Sequence, residues 1–411
     1  TWYRGTVTQK IPTEKGITIR VKITGTNQLG EVNTEGEAEV VLPSRTEELP
    51  QTAPESIDLQ APIHFQYPDS ECVFELIEAQ VEKTPNAIAL LSDNCALTYQ
   101  ETNQKANQLA RYLRWRGVRP NDLVGICLDR SPDFIVCVLA VLKAGGAYLP
   151  LDADYPDDRL AFMLADSRSA FLMTNNAVDR FSIPDTIAVL KLNDLAADIA
   201  VYSTENLPSV NTANHYSYAV YTSGSTGQPK AVAPSHFSLV SYIKAAQKSL
   251  NISSRDRYLH SASFSFSAAV RQIFLPLSVG ATLAIATTEQ RRDPRLLFQA
   301  IAQHKITIWD TVPTFWKFCI DAFVDLESQA RSQLLDNCLR LIMTTGEPLN
   351  WEIPRSWRDR LQQNTEIINL YSQSETTGTV SYYPIPQLCD NETGIVPLGR
   401  PFEDVEILLL D

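Results

Sequence analysis

The sequence predicts an α/β protein with mostly parallel sheets flanked by helices, preceded by a short β-rich fragment. Three observations support this class. From about residue 67 onward, short apolar strands alternate with helix patterns, which is typical of parallel sheets. Residues 1–44 instead alternate polar residues with apolar and β-branched ones, which is a strand pattern. Residues 45–66 are rich in Pro, Ser, Thr, Glu and Gln, a composition typical of linkers.

The β-rich fragment contains strand patterns at residues 18–23 and 37–42, with a turn between them at 27–32. Three antiparallel strands rarely form a stable domain alone, so we expect the end of a larger β-rich domain. The fragment resembles the last strands of hot-dog dehydratases and thioesterases. The resemblance rests on Gly-Thr-Asn-Gln at 25–28, Gly-Glu-Ala at 36–38 and Leu-Pro at 42–43.

Charge and composition exclude several classes of protein. The net charge of −13 argues against a nucleic-acid partner, since phosphate binding needs clustered Lys and Arg. No run of 18 or more apolar residues predicts a membrane helix, and no signal-peptide pattern opens the chain. The seven cysteines are scattered without a Cys-x-x-Cys pair, which argues against zinc and favours reduced thiols in a cytoplasmic protein.

The α/β part, residues 67–411, opens with clear helix and strand signals. Thr98 and Glu101 form a capping box, which predicts a helix start. The apolar face of that helix comprises Ala106, Leu109, Ala110 and Leu113. Short apolar segments predict strands at 123–128, 217–222, 281–286, 306–312, 339–343 and 365–370.

The most informative stretch follows the strand that ends near residue 222. It reads Tyr-Thr-Ser-Gly-Ser-Thr-Gly-Gln-Pro-Lys at 221–230. Gly224 and Gly227 permit unusual backbone conformations, hydroxyls and backbone N–H groups can surround a polyphosphate, and Lys230 adds a compact positive charge. The spacing differs from the Walker loop, in which Lys directly follows the second glycine. The alternative is a Ser/Thr/Gly surface turn.

A second polar segment, Asn-Leu-Tyr-Ser-Gln-Ser-Glu-Thr-Thr at 369–377, follows the strand predicted at 365–370. Ligands of open α/β sheets bind at the carboxyl ends of strands. A carboxylate such as Glu375 suits a hard cation that bridges phosphates. The alternative for Glu375 is a solvated loop acid.

The 221–230 stretch resembles the signature of the adenylate-forming superfamily, which comprises acyl-CoA synthetases, luciferases and nonribosomal peptide synthetase adenylation domains. Residues 97–101 and 142–160 resemble further family motifs, and the second favours the peptide synthetase branch. From the residues alone, Gly145-Gly146 before Pro150 predicts a tight helix-to-strand connection. Residues 67–411 thus resemble the large N-terminal subdomain. We expect the small C-terminal subdomain, with its catalytic Lys, to lie beyond residue 411, so that this fragment turns over poorly.

The resemblance implies ATP and Mg²⁺ as cofactors. It implies that Thr222, Lys230 and Glu375 are catalytic, that Tyr371 stacks on adenine, that Thr376 contacts phosphate and that Glu375 holds Mg²⁺. The family usually has Gly-Pro-Thr where this chain has Ser-Gln-Ser at 372–374. The other implied nucleotide-binding residues are Ser223, Gly224, Ser225, Thr226, Gly227, Gly346, Glu347, Pro348 and Asn369.

The resemblance also implies where the acid binds. Peptide synthetase adenylation domains carry an Asp that pairs with the substrate α-ammonium, and this chain has Ser267 there. A buried ammonium without its carboxylate is costly, so we expect an acid other than a standard α-amino acid. Arg271 and Asp310 either neutralise each other, or one of them faces a polar substrate tail. The alternative for Arg271 is an exposed helix residue. The other implied pocket residues are Ala268, Met343, Thr345, Leu370, Gly378 and Thr379.

The implied activity is formation of an acyl-adenylate from a carboxylic acid and ATP, with release of pyrophosphate. The expected partner is a carrier-protein domain whose phosphopantetheine accepts the acyl group, in a nonribosomal peptide or hybrid polyketide synthetase. A free-standing acyl-CoA ligase is the second hypothesis. A non-catalytic nucleotide-binding module is the third.

Overall fold

A computed structural model describes residues 2–13, 16–26, 32–43, 71–175, 181–222, 228–387, 392–403 and 405–407. The first three ranges form strands β1 (Trp2–Thr13), β2 (Gly16–Thr26) and β3 (Val32–Pro43). They pair in that order as an antiparallel sheet, which confirms the strands predicted at 18–23 and 37–42. Most of the predicted turn at 27–32 and all of the predicted linker at 45–66 lie outside the described residues.

The helices and strands of the α/β part alternate along the chain. Those up to residue 222 are α1 (Val73–Lys83), β4 (Ile88–Ser92), β5 (Cys95–Thr98), α2 (Tyr99–Arg116), β6 (Leu123–Cys127), α3 (Pro132–Ala144), β7 (Ala147–Pro150), α4 (Asp157–Ser167), β8 (Phe171–Thr174), β9 (Ala188–Lys191), α5 (Leu192–Ala200) and β10 (Val220–Thr222). Those from residue 228 are β11 (Lys230–Val232), α6 (His236–Leu250), β12 (Arg257–His260), α7 (Ser267–Ser278), β13 (Thr282–Ile285), α8 (Thr288–Arg292), α9 (Pro294–Gln303), β14 (Ile308–Thr311), α10 (Pro313–Val324), α11 (Ser328–Leu335), β15 (Leu341–Thr344), α12 (Glu352–Asp359), β16 (Glu366–Gln373), a 3₁₀ turn (Ser374–Thr376), β17 (Gly378–Pro384) and β18 (Arg400–Pro401).

Two sheets and a hairpin organise this part of the protein. The larger sheet has nine strands in the order β18-β17-β16-β15-β14-β12-β13-β4-β5. Its six central strands, from β16 to β4, pair in parallel, whereas β5, β17 and β18 pair antiparallel. The smaller sheet, β7-β6-β8-β9, is wholly parallel, and β10 pairs with β11 as a two-stranded hairpin. The predicted α/β class with mostly parallel sheets is confirmed.

Helix α2 begins as its capping box predicts. The Thr98 hydroxyl accepts a hydrogen bond from the Glu101 backbone N–H at 3.1 Å, and the Glu101 carboxylate accepts one from the Thr98 N–H at 2.8 Å. These two bonds satisfy N–H groups that the first helical turn leaves free. The predicted apolar face of Ala106, Leu109, Ala110 and Leu113 is buried, as expected.

The Gly145-Gly146 pair makes the predicted tight connection between a helix and a strand. Gly145 ends α3 with φ +116°, a left-handed conformation that residues with a Cβ rarely adopt. At Gly146, a Cβ would lie 3.0 Å from the Asp122 carbonyl oxygen, which leaves little room for a side chain. The chain therefore passes directly from α3 into the buried strand β7.

The parallel strands bring their carboxyl ends to one edge of the larger sheet. Strands β13 and β14 lie within the segments predicted from the sequence, and β15 and β16 overlap theirs and end beyond them. The strand predicted at 217–222 is shorter, because Tyr218 makes only a single bridge to Tyr148 and regular pairing begins at Val220. None of the helices in the described ranges combines the length and apolar character that crossing a bilayer requires.

Candidate functional site

A cavity of about 670 Å³ opens where β12, β14, β15 and β16 end side by side. We call it the strand-edge cavity. Its lining residues are Ser261, Ala262 and Ser263 after β12; Phe266, Ser267, Ala268 and Gln272 around α7; Arg291; Asp310, Thr311, Val312 and Phe315; Thr345, Gly346 and Glu347 after β15; and Ser372, Gln373, Ser374 and Glu375. Such a position is where open α/β sheets bind ligands.

The predicted phosphate loop connects the two strands of the β10–β11 hairpin. Thr222 and Lys230 are register partners, and the Thr222 hydroxyl lies 3.5 Å from the Lys230 carbonyl oxygen. The Lys230 residue is exposed. The intervening predicted residues Ser223, Gly224, Ser225, Thr226 and Gly227 lie outside the described residues. The hairpin therefore brings together the two ends of the segment to which phosphate binding is assigned.

Glu375 lies on a tight turn between β16 and β17. The turn is a single 3₁₀ turn followed by Thr377 at φ +68°, and the Thr376 hydroxyl donates to carbonyl oxygens at both ends of the turn, at 3.0 Å each. Glu375 is exposed, lines the strand-edge cavity and makes no hydrogen bond or ion pair within the described part of the chain. Its carboxylate is therefore available to a ligand.

Tyr371 lies two strand residues before the turn and is partly buried. Its hydroxyl accepts a hydrogen bond from the Gln373 side-chain amide at 2.6 Å. Burial raises the pKa of this phenol, so Tyr371 is neutral at physiological pH. A neutral aromatic ring at the residue before the cavity-lining Ser372 suits a stacking role.

The Glu347 carboxylate holds the segment after β15 in place and is not presented to a ligand. Glu347 accepts hydrogen bonds from both the backbone N–H and the hydroxyl of Thr314, each at 3.0 Å. Thr314 is in the first turn of α10, whose free N–H groups favour a carboxylate. Gly346, at φ +89°, and Pro348 are both exposed. Asn369 points elsewhere, since its buried amide donates to the Pro397 carbonyl oxygen.

Arg271 and Asp310 form a buried ion pair beneath the cavity. Arg271 Nη2 and Nε lie 2.7 and 2.9 Å from Asp310 Oδ2, and the Tyr258 hydroxyl donates to the same oxygen at 2.9 Å. Arg271 Nη1 donates to Thr379 Oγ1 at 2.8 Å. The alternative of an exposed helix residue is wrong, because Arg271 is only 1% exposed. Burial alone would lower the pKa of Arg271, but Asp310 raises it well above its ordinary value.

The residues implied as pocket walls divide into two groups. Ser267, Ala268, Asp310 and Thr345 line the strand-edge cavity. The others are Arg271, Met343, Leu370, Gly378 and Thr379, which are buried but do not line it. The Arg271 network occupies the space between the cavity and Thr379, and Gly378 packs against the Tyr242 ring.

Ser267 is the first residue of α7 and lies at the cavity wall. Its hydroxyl accepts a hydrogen bond from Ser374 Oγ at 3.1 Å, which joins α7 to the turn that carries Glu375. Both side chains in this contact are neutral hydroxyls, and Asp310, the acidic residue predicted for the pocket, is bound by Arg271. The wall here is small, polar and neutral.

The family model for AMP-binding enzymes matches residues 77–411. The chain belongs to this family. Tyrocidine synthase 3 of Brevibacillus parabrevis is 33% identical over 337 residues, which are 82% of this chain and 5% of that protein. Gramicidin S synthase 2 of Brevibacillus brevis is 34% identical over 348 residues, 84% of this chain and 8% of that protein. The chain thus spans only a small part of these relatives.

Solved structures give the same assignment. The nonribosomal peptide synthetase FmoA3 (S1046A) matches with a TM-score of 0.73 and 26% identity, over 82% of this chain and 35% of that one. The N-terminal subdomain of Klebsiella oxytoca NpsA matches with a TM-score of 0.69 and 24% identity, over 83% of this chain and 81% of that one, which shows the fold. The resemblance to the large N-terminal subdomain of adenylate-forming enzymes is confirmed.

Gln272 and Arg291 are among the cavity residues of this AMP-binding family member that the sequence did not predict. Gln272 accepts from the N–H groups of Ser261 and Ala262 at 3.0 Å each and donates to the Asp310 carbonyl oxygen, so it shapes the chain after β12. Arg291 donates to the Ser261 carbonyl oxygen at 2.6 Å, and burial lowers its pKa. Neither lies in a recognisable motif, and only the folded chain brings them to the cavity.

Metal and histidine chemistry is sparse in the described ranges. No group of three or more His, Cys, Asp or Glu residues there is arranged to hold a metal ion. His236 and His260 are fully buried, and burial lowers the pKa of His236 to about 4 and that of His260 well below its ordinary value. His260 contacts Arg130 at 2.8 Å. Both histidines are neutral parts of the framework.

Proposed function

We propose that the chain activates a carboxylic acid with ATP, forming an acyl-adenylate and releasing pyrophosphate. One observation carries this proposal. Residues assigned separately to the nucleotide (Gly346, Glu347 and Glu375) and to the acid (Ser267 and Asp310) line a single cavity. Adenylate formation requires both substrates in one space, with the carboxylate next to the α-phosphate.

The reaction needs positioning and charge neutralisation more than covalent help from the protein. A carboxylate oxygen of the acid attacks the α-phosphorus of ATP, and the bond from that phosphorus to the bridging oxygen of the β-phosphate breaks. The bridging oxygen keeps the electron pair and leaves with pyrophosphate. Lys230 and the hydroxyls from Thr222 to Thr226 would hold the β- and γ-phosphates, which carry the developing negative charge.

The residues present fit a magnesium ion at Glu375. The carboxylate is exposed, lines the strand-edge cavity and has no hydrogen-bond or ion-pair partner within the described residues, so it can serve as a ligand. Mg²⁺ binds through one or two carboxylates together with waters and substrate phosphates, so a single Glu is a sufficient protein contribution. When bound, the ion would supply positive charge to the phosphate oxygens.

We further propose that the acyl group passes to the phosphopantetheine of a carrier-protein domain, in a nonribosomal peptide or hybrid polyketide synthetase. The named peptide synthetases among the relatives support this acceptor. A similar solved structure, FmoA3 (S1046A), is an alpha-methyl-L-serine-AMP bound form, which supports adenylate formation as the reaction. The neutral wall at Ser267 favours an acid that lacks a free α-ammonium group.

The test is acid-dependent ATP–pyrophosphate exchange by the full-length protein, screened over hydroxy, keto, aryl, aliphatic and α-amino acids. We expect at least one acid to raise exchange well above the acid-free control. If none of the acids supports exchange while calorimetry still shows ATP binding, the proposal is contradicted and a non-catalytic nucleotide-binding module is indicated. If exchange occurs, transfer to CoA rather than to a carrier protein would identify an acyl-CoA ligase.

A further inference from the structure

The buried carboxylate of Asp310 uses only one of its two oxygens within the protein. Its close contacts within the protein all reach Oδ2: Tyr258 Oη and Arg271 Nε donate hydrogen bonds at 2.9 Å each, and Arg271 Nη2 makes an ion-pair contact at 2.7 Å. Oδ1 has no hydrogen-bond donor among the described residues. Asp310 is 1% exposed overall and lines the strand-edge cavity. The cavity is therefore where Oδ1 can find a donor.

A ligand that fills the cavity displaces the water that can reach Oδ1, so leaving this carboxylate oxygen without a replacement donor would cost binding free energy. A matching donor on the ligand avoids that cost. The free oxygen of Asp310 thus indicates a donor on the molecule that fills the cavity. The nearby backbone does not supply one, since the two N–H groups after β12, of Ser261 and Ala262, donate to Gln272.

The charge balance distinguishes a neutral donor from a cationic one. Arg271 already neutralises Asp310 at direct contact, and burial covers both residues almost completely. An ammonium group against Oδ1 would leave one net positive charge in the buried cluster, which is unfavourable. A hydroxyl supplies the hydrogen bond without adding charge.

The position of Asp310 across the sheet indicates where on the acid this hydroxyl lies. Asp310 is on β14, whereas Glu375 and the Ser267–Ser374 contact are on the side of β16, with β15 between the two strands. Neighbouring strands are about 4.8 Å apart, so β14 and β16 are separated by roughly 10 Å at this edge. A carboxylate beside the nucleotide at β16 leaves the far end of the acid near Asp310.

We propose that the acid carries a hydroxyl group remote from its carboxylate, and that Asp310 Oδ1 accepts a hydrogen bond from it. This inference rests on the proposed acid activation and names its substrate class. Arg271 is then a positioning residue, because it fixes the orientation of the Asp310 carboxylate and neutralises its charge. The same network reaches Thr379, which does not line the cavity, through the hydrogen bond from Arg271 Nη1.

The experiment compares matched acids in ATP–pyrophosphate exchange by the full-length protein: aryl and aliphatic acids with a distal hydroxyl, the same acids without it, and the same acids with a distal ammonium. We expect kcat/KM for the hydroxylated acid to exceed that of its deoxy partner by about tenfold or more, since a hydrogen bond to a charged group contributes that much. Equal values for the pair, or a preference for the ammonium acid, would overturn the inference while leaving acid activation intact. No exchange with any acid would instead overturn the proposed function, and this inference with it.

Two variants assign the preference to Asp310. The double variant Arg271→Met/Asp310→Leu replaces the buried pair by apolar side chains of similar size, a change that buried ion pairs often tolerate. We expect it to lose the hydroxyl preference, so that the ratio of kcat/KM for the hydroxylated and deoxy acids falls to about one at whatever absolute rate remains. In Asp310→Asn, the amide oxygen would keep facing Arg271 and the NH₂ group would face the cavity. The kcat/KM of a keto analogue should therefore rise relative to that of the hydroxy acid. Retention of the wild-type preference in a folded variant of either kind would overturn the assignment to Asp310.

Discussion

His236 Nδ1 accepts a hydrogen bond from the backbone N–H of Val73 at 3.3 Å, which joins the start of α1 to the start of α6. The imidazole is fully buried, with the Phe74 ring edge-on at 5.9 Å. Protonation of Nδ1 would remove this acceptor and place a charge in the core. Burial, and secondarily His215, lowers the pKa of His236 from 6.5 to about 4. The contact therefore exists only while His236 is neutral.

The first prediction is that the protein loses stability as the pH falls from about 6.5 to 4. In this window the unfolded chain binds a proton at His236 and the folded protein does not, so acid favours unfolding. The stability contribution is present above the unfolded pKa and is lost as the pH falls toward the folded pKa. The difference amounts to roughly 3 kcal/mol. Thermal unfolding measured across this pH range checks it.

The variant His236→Gln isolates this effect, because its side-chain oxygen can accept from Val73 and does not titrate. We expect its Tm to fall less steeply between pH 6.5 and 4 than that of the wild type. Part of the slope should remain, since the pKa of His260 is also lowered by burial. Identical slopes for variant and wild type would show that His236 is not the group responsible.

The second prediction concerns Lys230. Its side chain is exposed, so Lys230→Ala should leave the Tm nearly unchanged. If Lys230 holds the β- and γ-phosphates as proposed, loss of its charge should reduce kcat/KM for ATP on the order of a hundredfold. Pyrophosphate exchange by the full-length protein measures this, with Lys105→Ala as the control at another exposed lysine. Unchanged ATP kinetics would leave the loop as a Ser/Thr/Gly surface turn.

The third prediction concerns Glu375 and magnesium. Glu375→Gln keeps the shape of the side chain and removes the charge that a hard cation prefers. We expect exchange activity to fall by about tenfold or more and to recover partly at higher Mg²⁺ concentration. Glu352→Gln, at an exposed acid on α12, is the matched control. A Glu375→Gln protein with the magnesium dependence of the wild type would identify a solvated loop acid.

The sequence was most informative where local rules decide the structure. The Thr98–Glu101 capping box, the Gly145–Gly146 connection and the short apolar strands depend on neighbouring residues, and the structure confirms them. The cavity position follows from a general rule about strand ends, so it could also be predicted. Helix α1 has no motif of comparable strength and was not predicted, although His236 and Phe74 bury its start in the core.

The details of the cavity depend on contacts between distant parts of the chain. Arg271 was compatible with an exposed helix position, because nothing in α7 alone shows that Asp310, 39 residues later, lies against it. Glu347 resembled a nucleotide-site residue, and its commitment to Thr314 appears only when β15 lies beside β14. Gln272 and Arg291 carry no local signal. Sequence spacing predicts which residues approach the site but not how they pair there.

The last prediction is that acids without an α-ammonium group are preferred, because Ser267 is neutral. Leaving a charge buried without its partner costs about 3–5 kcal/mol, which corresponds to a preference of roughly a hundredfold to several thousandfold. Pyrophosphate exchange with pairs of acids that differ only in the α-amino group measures it. If the α-amino acids are the better substrates of each pair, Ser267 does not set the preference. Should Asp310→Asn then abolish their use, Asp310 would be the ammonium partner despite its contact with Arg271.

The variant Ser267→Asp tests the same prediction in the opposite direction. An acidic residue is favourable in the first turn of α7, so the change should be tolerated by the fold. It supplies a carboxylate at the cavity wall beside Ser374, and we expect kcat/KM for α-amino acids to rise by at least about tenfold relative to their partners without the amino group. Ser267→Ala removes the hydroxyl without adding charge and should keep the wild-type preference. If the relative kcat/KM for α-amino acids rises in both variants, space at this wall, rather than charge, sets the preference.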